Sequence, residues 1–254
     1  MSIKISRELI TNTLTRPALR KVNGGNYKLR EVRAIIAHWT ANTSKGADAM
    51  ANRNYFNNGS PGPGGTFRSA SAHYCVDSTE IVQCLPDDEV GFHVGGVRYK
   101  RDGYKVIEGY RGLTPNYFTI GFEMCVNSDG DWNYTRTNSI QLAAYLLIKH
   151  GLTLDNLLRH YDITGKDCPK MFIDESEWRI FKNAVETQLL KYAQRDWVRK
   201  TNTANNLNVR FGPGIQYGVN YFLQKNEPVV VFNQTASGWA QIGEGLYVNS
   251  KYLI

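Results

Sequence analysis

The feature that most constrains the fold is the alternation of short apolar runs with longer helical repeats over the first 196 residues of this chain. The runs at 32–37 and 118–126 carry apolar residues on both faces, which is typical of strands buried within a sheet. The segments 138–151 and 174–192 instead have apolar residues at helical spacing. Strands interleaved with helices predict an α/β domain with a mixed central sheet flanked by helices.

Cap and turn residues indicate where these elements end. Asn138 is a candidate N-cap of the first helix, and Gly151 is a candidate stop for it. The β-rich runs 73–77 and 80–85 predict a hairpin. The stretch 41–72, rich in Gly, Ser, Asn and Pro, predicts a long loop, within which residues 47–51 are a candidate helix.

After residue 196 the helical periodicity disappears. Short apolar runs such as 229–232 and 246–248 are separated by Gly, Asn and Pro, which predicts a small all-β barrel. We therefore predict two domains, 1–196 and 197–254, and leave residues 1–29 unassigned as an N-terminal arm.

Composition and charge exclude several classes of protein. With 42% hydrophobic and 21% charged residues, the chain is not mostly disordered. No apolar run approaches the ~20 residues of a spanning helix, and the N-terminus lacks the apolar stretch of a secretory signal. The net charge of +7 favours an anionic partner, such as nucleic acid, acidic lipid or an anionic cell wall. Because no Lys/Arg block concentrates this charge, nucleic acid is the weakest of the three.

The four cysteines contain no C-x-x-C pair, so neither a zinc knuckle nor a thioredoxin-like site is expected from them. Their spread suits free thiols in a reducing compartment, with a disulfide as the alternative. Cys75, Cys84 and Cys125 are predicted to be small buried hydrophobic residues.

The stretch 160–169 carries the side chains that indicate chemistry most clearly. His160 and Cys168 lie on one short loop, and Zn²⁺ takes nitrogen and sulfur ligands, usually in tetrahedral geometry. His38, at the end of the first buried strand, is the candidate third ligand, because a strand end places a side chain rigidly. Three protein ligands leave the fourth position to water, as in catalytic zinc sites. The alternative for His38 is an ordinary hydrogen-bonded histidine.

Five segments follow one another along the chain: IIAHWT at 35–40, SAHYCVD at 71–77, FHVGG at 92–96, IGFE at 120–123 and HYDITGKDCP at 160–169. In this order they resemble the zinc-dependent N-acetylmuramoyl-L-alanine amidases of the type-2 class. That class includes phage endolysins, bacterial autolysins and the peptidoglycan recognition proteins. The resemblance covers roughly residues 30–185.

The resemblance implies roles for five residues. His38, His160 and Cys168 would bind zinc, and the reaction would be hydrolysis of the amide that joins N-acetylmuramic acid to L-alanine of the stem peptide. Glu123 would take the proton of the attacking water and pass it to the leaving amine. Lys166 would stabilise the oxyanion. The alternatives are an ordinary strand-end carboxylate for Glu123 and a solvated loop lysine for Lys166.

Two positions depart from the family pattern. Ala72 stands where some phage members carry a catalytic tyrosine, so more depends on Glu123. Trp39 follows the first ligand and is predicted either to contact a sugar ring of the substrate or to belong to the core.

Two further histidines lie in the matching segments. His93 is predicted to line the substrate groove without binding the metal, and His73 is predicted to be structural.

The motif LNVRFGPG at 207–214 resembles the opening of bacterial SH3-like domains, which usually bind peptidoglycan. Residues 197–254 are therefore predicted to hold the catalytic domain at the wall.

Together these observations predict a monomeric peptidoglycan hydrolase, an endolysin or autolysin, made in the cytoplasm and acting on the wall after release. The alternatives are a peptidoglycan-recognition protein without turnover, which the third ligand Cys168 argues against, and a zinc hydrolase that cuts a different amide.

Overall fold

The computed structural model describes residues 3–20, 27–61, 67–194 and 197–254. Its strands are β1 Ser6–Arg7, β2 Ala34–Trp39, β3 Ser60–Pro61, β4 Phe67–Arg68, β5 Tyr74–Val76, β6 Ile81–Gln83, β7 Thr119–Met124, β8 Leu157–Arg159, β9 Val198–Thr201, β10 Leu207–Arg210, β11 Val219–Leu223, β12 Pro228–Val231, β13 Asn233–Gln234, β14 Trp239–Gly243 and β15 Leu246–Asn249. Its α-helices are α1 Ala49–Asn58, α2 Arg101–Val106, α3 Trp132–His150, α4 His160–Thr164 and α5 Glu175–Ala193.

A six-stranded mixed sheet in the order β1-β6-β5-β7-β2-β8 forms the centre of the first part of the chain. β2 pairs in parallel with β7 and with β8, whereas β5 and β6 form the predicted antiparallel hairpin. Helices cover both faces of this sheet, so the predicted α/β class is confirmed. Because β2, β7 and β8 run in the same direction, their carboxyl ends meet at one edge of the sheet.

Alternate residues of the central strands belong to two different cores. Ile35 and Ala37 of β2 pack with Phe122 of β7 against α3 and α5. Ala34 and Ile36 pack on the opposite face in the cluster that includes α2 and α4. This alternation follows from the two-residue period of a strand, and it determines on which face each residue of a strand end lies.

The first long helix begins earlier than predicted. α3 starts at Trp132, where the side chain of Asp131 caps the backbone N–H groups of Asn133 and Tyr134. Asn138, the predicted cap, lies inside the helix and donates from Nδ2 to the Asp77 carbonyl, 2.9 Å away. The predicted stop at Gly151 is confirmed, since this residue has a left-handed backbone with φ of 66°. None of the described helices has the length and apolar character that a membrane crossing requires.

The other predicted segments agree with the structure except at 160–164, which was predicted as part of a loop and forms the short helix α4. The second long helix is α5, which Asp174 caps. The candidate helix at 47–51 is α1, which the side chain of Asp48 caps and which continues to Asn58. The four cysteines are free and buried, although Cys75 and Cys84 have their sulfur atoms only 3.7 Å apart.

The described residues of the N-terminal arm, 3–20 and 27–29, pack on the central sheet and do not form a separate tail. Its strand β1 pairs in parallel with β6 and forms one edge of the central sheet. The Arg16 guanidinium donates to both carboxylate oxygens of Glu89, at 2.7 and 2.9 Å, and to the Ile10 carbonyl at 3.0 Å. The buried side chain of Ile10 packs into the core beside α1.

An all-β region follows α5, as predicted. Strands β11-β10-β15-β14-β13 form an antiparallel sheet, and β9 pairs with β12. This region packs directly on the first part of the chain. Val230 of β12 lies in the same core as α3 and α5, and the ring of Phe232 contacts those of Tyr145 and Trp197 at centroid distances of 6.2 and 4.3 Å. The SH3-like nature of this region and the boundary at residue 197 remain predictions.

Candidate active site

The parallel strands bring four of the predicted site residues to one edge of the sheet. His38 is the fifth residue of β2 and lies directly opposite Glu123 of β7 in the strand register. His160 follows the last residue of β8, and Cys168 lies on the loop after α4, where its carbonyl accepts from the Tyr161 N–H. Residues from distant parts of the sequence therefore converge at this edge because the strands that carry them are neighbours.

Three of these side chains form a buried cluster. The Nδ1 atoms of His38 and His160 are 3.2 Å apart, and the Cys168 sulfur is 3.6 Å from the His38 Nδ1. One ligand atom of each residue lies within 4.8 Å of the others. Two nitrogens and one sulfur that converge in this way could hold a metal ion.

The protonation states of the cluster suit metal binding. Burial, with the neighbouring charges of His93 and His160, holds the pKa of His38 well below its ordinary value. Burial and the Lys166 charge lower the pKa of His160 to about 4. Both imidazoles are therefore neutral and each has a lone pair to donate. Burial raises the pKa of the Cys168 thiol to about 12, so a cation at this position is what would favour the thiolate.

Glu123 presents a carboxylate oxygen that has no protein partner. Its Oε2 is buried and makes no hydrogen bond to any residue that the structure describes. Burial raises the pKa of Glu123 to about 8, against the opposing effect of the Lys166 charge. A buried carboxylate oxygen without a partner is costly unless another group, such as water or substrate, completes it. Because Glu123 lies opposite His38 in the strand register, a water or substrate group bound to its Oε2 would lie beside the cluster.

His93 is bonded to one of the predicted ligands. Its Nδ1 is 3.0 Å from the His38 Nε2, and its Nε2 is 3.3 Å from the hydroxyl of Thr119. That hydroxyl donates to the Pro115 carbonyl, so it accepts from His93. His93 Nδ1 then accepts from His38 Nε2–H, which leaves the His38 Nδ1 lone pair directed at the cluster. Orientation of a ligand imidazole by a second hydrogen bond is typical of metal sites.

The remaining predicted residues have different surroundings. His73 is saturated by the Gly121 N–H, which donates to Nδ1, and by the Glu89 carbonyl, which accepts from Nε2. Lys166 is exposed and lies near enough to lower the pKa values of the cluster histidines. Trp39 is half-buried and, by strand alternation, lies on the α3 side of the sheet, away from the side chain of His38. Contact between Trp39 and a substrate remains a prediction.

A groove of about 530 Å³ lies beside the cluster and is lined by one of its members, His160. Its lining includes Arg20, Phe92, His93, Asn116, His160 and Lys166. His93 is thus one of the residues that line this groove, and its contact with a substrate remains a prediction. Arg20 was missed by the sequence analysis, because it belongs to the N-terminal arm and no motif marks it.

A larger cavity, of about 1190 Å³, lies between α2 and α5. It contains none of the cluster residues. Among its charged groups, Arg159 is bound to two acidic residues of the same cavity, since it donates to Asp162 and to Glu175, each at 2.6 Å. Chemistry rather than volume therefore identifies the smaller groove as the candidate active site.

Comparison with known proteins covers the part of the chain that carries this site. A family profile described as N-acetylmuramoyl-L-alanine amidase matches residues 28–171, more than half of the chain. A probable N-acetylmuramoyl-L-alanine amidase of Bacillus licheniformis is 36% identical over 168 residues, which are 64% of this chain and 43% of the relative. The amidase BlyA of Bacillus subtilis is 32% identical over 194 residues, 74% of this chain and 48% of the relative. The chain thus spans less than half of the length of these two curated relatives.

Solved structures give the same result. A mutant endolysin from Bacillus subtilis is 31% identical, with a TM-score of 0.55, over 72% of this chain and 99% of the endolysin. The catalytic domain of XlyA is 30% identical, with a TM-score of 0.54, over 72% of this chain and 99% of that domain. The predicted resemblance is confirmed, and the chain belongs to the type-2 N-acetylmuramoyl-L-alanine amidase family.

Proposed function

We propose that this chain hydrolyses peptidoglycan at the amide between N-acetylmuramic acid and L-alanine of the stem peptide, as an endolysin or autolysin. The observation that carries the proposal is the convergence of His38, His160 and Cys168 within 4.8 Å, with the unpartnered oxygen of Glu123 on the adjacent strand. Membership of the amidase family supports the same activity. A recognition protein without turnover would not need both a third ligand and a buried carboxylate.

We infer that zinc is the ion that the cluster takes. Two imidazoles and one thiolate are a set that zinc prefers, and tetrahedral ligands at its usual bond lengths lie roughly 3.3–3.6 Å apart. The separations of 3.2 and 3.6 Å are within about 0.1 Å of that spacing. When bound, zinc would lower the pKa of a water molecule and polarise the scissile carbonyl.

The side chains around the cluster supply the remaining steps. Glu123 accepts the proton of the attacking water at its free Oε2 and then donates it to the amine of the leaving L-alanine. Its raised pKa of about 8 keeps it close to the pH at which such an acid–base group works best. Lys166 places a positive charge beside the groove, where it stabilises the oxyanion of the tetrahedral intermediate. His93 holds the ring of His38 in place.

The function is tested by mass spectrometry of peptidoglycan digested with the purified protein. We expect free L-alanine amino termini and intact N-acetylmuramic acid in the products. Glu123→Gln should lower kcat by about 10²–10⁴-fold and retain the metal, whereas Glu177→Gln, on the exposed surface of α5, should be unaffected. Cleavage at another bond, or a normal kcat for Glu123→Gln, contradicts the proposal.

We further propose that residues 197–254 bind the cell wall. Apolar side chains are exposed on the segment after β10, with Phe211 at 59% and Ile215 at 79%, and on the following strand β11, with Phe222 at 50%. Exposed apolar groups concentrated in neighbouring segments are typical of an interaction surface. Because the all-β region shares a core with α3, deleting it would also disturb the first part of the chain, so point variants are the better test of wall binding. Phe211→Ser with Phe222→Ser should weaken co-sedimentation with cell walls at unchanged thermal stability, and unchanged co-sedimentation would refute the proposal.

A further inference from the structure

The N-terminal arm contributes a basic side chain to the active-site groove. Arg20 lines the groove together with His93, His160 and Lys166, although it is 140 positions away from His160 in the sequence. We propose that Arg20 is a substrate-binding residue that takes a carboxylate of the stem peptide. This inference rests on the proposed function, because it names the part of the substrate that the same groove recognises.

Arg20 is held by a well-anchored segment. The arm pairs with the central sheet through β1, and Arg16 ties it to Glu89 through the paired hydrogen bonds described above. Arg16 also donates to the Ile10 carbonyl, and this hydrogen bond ties residue 16 to residue 10 of the same arm. The backbone that precedes Arg20 is therefore fixed on the catalytic domain, and a side chain fixed in this way loses little entropy when it binds a ligand.

The guanidinium group is oriented but not neutralised. Its Nε donates to the Thr13 carbonyl and its Nη2 to the Leu14 carbonyl, both at 2.8 Å. Over the described ranges, Nη1 makes no hydrogen bond and no carboxylate forms an ion pair with Arg20. These two neutral carbonyls orient the guanidinium group without cancelling its charge. An oriented and uncompensated guanidinium favours a carboxylate ligand.

Two other polar side chains of the groove, Lys166 and Asn116, also offer hydrogen-bond donors. Lys166 adds a second positive charge, and no Asp or Glu side chain lines the groove among the described residues. Asn116 accepts from the backbone N–H groups of His93 and Val94, at 3.2 and 2.9 Å, so its amide NH₂ is left for a ligand. A groove of donors with two cations fits a substrate rich in carbonyl and carboxylate oxygens. In the stem peptide, the γ-linked glutamate after L-alanine provides such a carboxylate unless it is amidated.

The experiment compares two synthetic substrates, N-acetylmuramoyl-L-Ala-D-γ-Glu with a free α-carboxylate and the same compound with that group amidated. We expect the wild type to prefer the free acid by about tenfold in kcat/KM. Arg20→Gln should remove this preference by raising KM for the free acid about tenfold, with kcat unchanged and the amidated substrate unaffected. Arg20→Lys should retain part of the preference because it keeps the positive charge. It should lose the rest because it lacks the planar guanidinium group that binds a carboxylate through two hydrogen bonds.

Arg111→Gln is the matched control. Arg111 is exposed and follows Tyr110, whose ring packs on Phe118 just before the amino end of β7, at the sheet edge opposite the cluster. It should behave as the wild type on both substrates. Equal loss on the two substrates for Arg20→Gln, or a wild type that does not discriminate between them, overturns the inference and leaves the proposed function intact. A wild type that cleaves neither substrate overturns both.

Discussion

At the scale of single residues, the imidazole of His93 decides how His38 presents its lone pair. The hydrogen bonds from Thr119 through His93 to His38 leave only Nδ1 of His38 free to face Cys168 and His160. A partner of this kind affects metal affinity without touching the metal.

We therefore expect His93→Ala to weaken zinc binding by about 10–100-fold. His93→Gln keeps a hydrogen-bond acceptor near His38 Nε2, so its zinc affinity should fall by less than that of His93→Ala. Competition with a zinc chelator of known affinity measures both variants. Equal affinity for wild type and His93→Ala would show that His38 does not depend on this hydrogen bond.

The residues that the sequence could identify are those that local patterns mark. Short motifs pointed to His38, His160 and Cys168, because strand ends and a compact loop carry them. The hydrogen bond between His93 and His38 joins a loop to the strand β2, 55 positions apart, and no local pattern encodes it. The position of Trp39 could have been anticipated, since a residue next to His38 on a strand must lie on the other face.

At the scale of elements, β7 approaches His93 closely at Gly121. A Cβ atom at this position would lie 2.5 Å from the His93 Nδ1, closer than any real contact. Only glycine therefore lets the strand and the imidazole lie together.

Gly121→Ala should displace His93, destabilise the fold by about 1–3 kcal/mol and weaken zinc binding. Gly218→Ala is the control, because its Cβ would meet nothing closer than 3.8 Å, from Phe211. Urea unfolding and chelator competition measure the two effects. A Gly121→Ala protein with wild-type stability and affinity would show that His93 can move at no cost.

The start of α3 shows why element limits are hard to predict. Asp131 and Asn138 are both good N-caps, and the first turns of α3 are too polar to show apolar spacing. What selects Asp131 is a tertiary contact, since Trp132 packs against Phe172 at a centroid distance of 6.3 Å. That contact joins two segments 40 positions apart, so the local pattern gives no sign of it.

At the scale of the whole molecule, a buried ion pair links the loop after β6 to α3. Asp87 accepts from Lys149 and from His150, each at 2.9 Å. Burial acts to raise the pKa of Asp87, but the charge of Lys149 and the hydrogen bond from His150 hold it well below its usual value. The carboxylate therefore stays charged in the folded protein at any pH above its unfolded pKa of about 3.9.

Asp87→Asn should lower the free energy of unfolding by about 3–5 kcal/mol at neutral pH, because Lys149 is left buried without its partner. Since the folded pKa is depressed, this difference from the wild type is complete above about pH 4 and shrinks as the pH falls further. Asp88→Asn, which breaks only the half-exposed pair with Lys28, should cost less than about 1 kcal/mol. Urea unfolding at neutral and acid pH measures both, and a difference that grows in acid would contradict the sign.

The sequence predicted two parts, but not that they share a core. The loss of helical periodicity after residue 196 is a local property and shows in the sequence. The contact of Phe232 with Tyr145 and Trp197 depends on how two surfaces meet. An apolar residue that faces another part of the protein cannot be told from one that faces its own core by periodicity alone.

The central claim is that His38, His160 and Cys168 together hold one zinc ion on which hydrolysis depends. Elemental analysis of the purified protein, made in parallel with the release of L-alanine amino termini from cell walls, tests it most directly. We expect one zinc per chain for the wild type, and the loss of both zinc and product release for Cys168→Ala. A correctly folded Cys168→Ala protein that keeps its zinc, or that releases these termini at the wild-type rate, would contradict it.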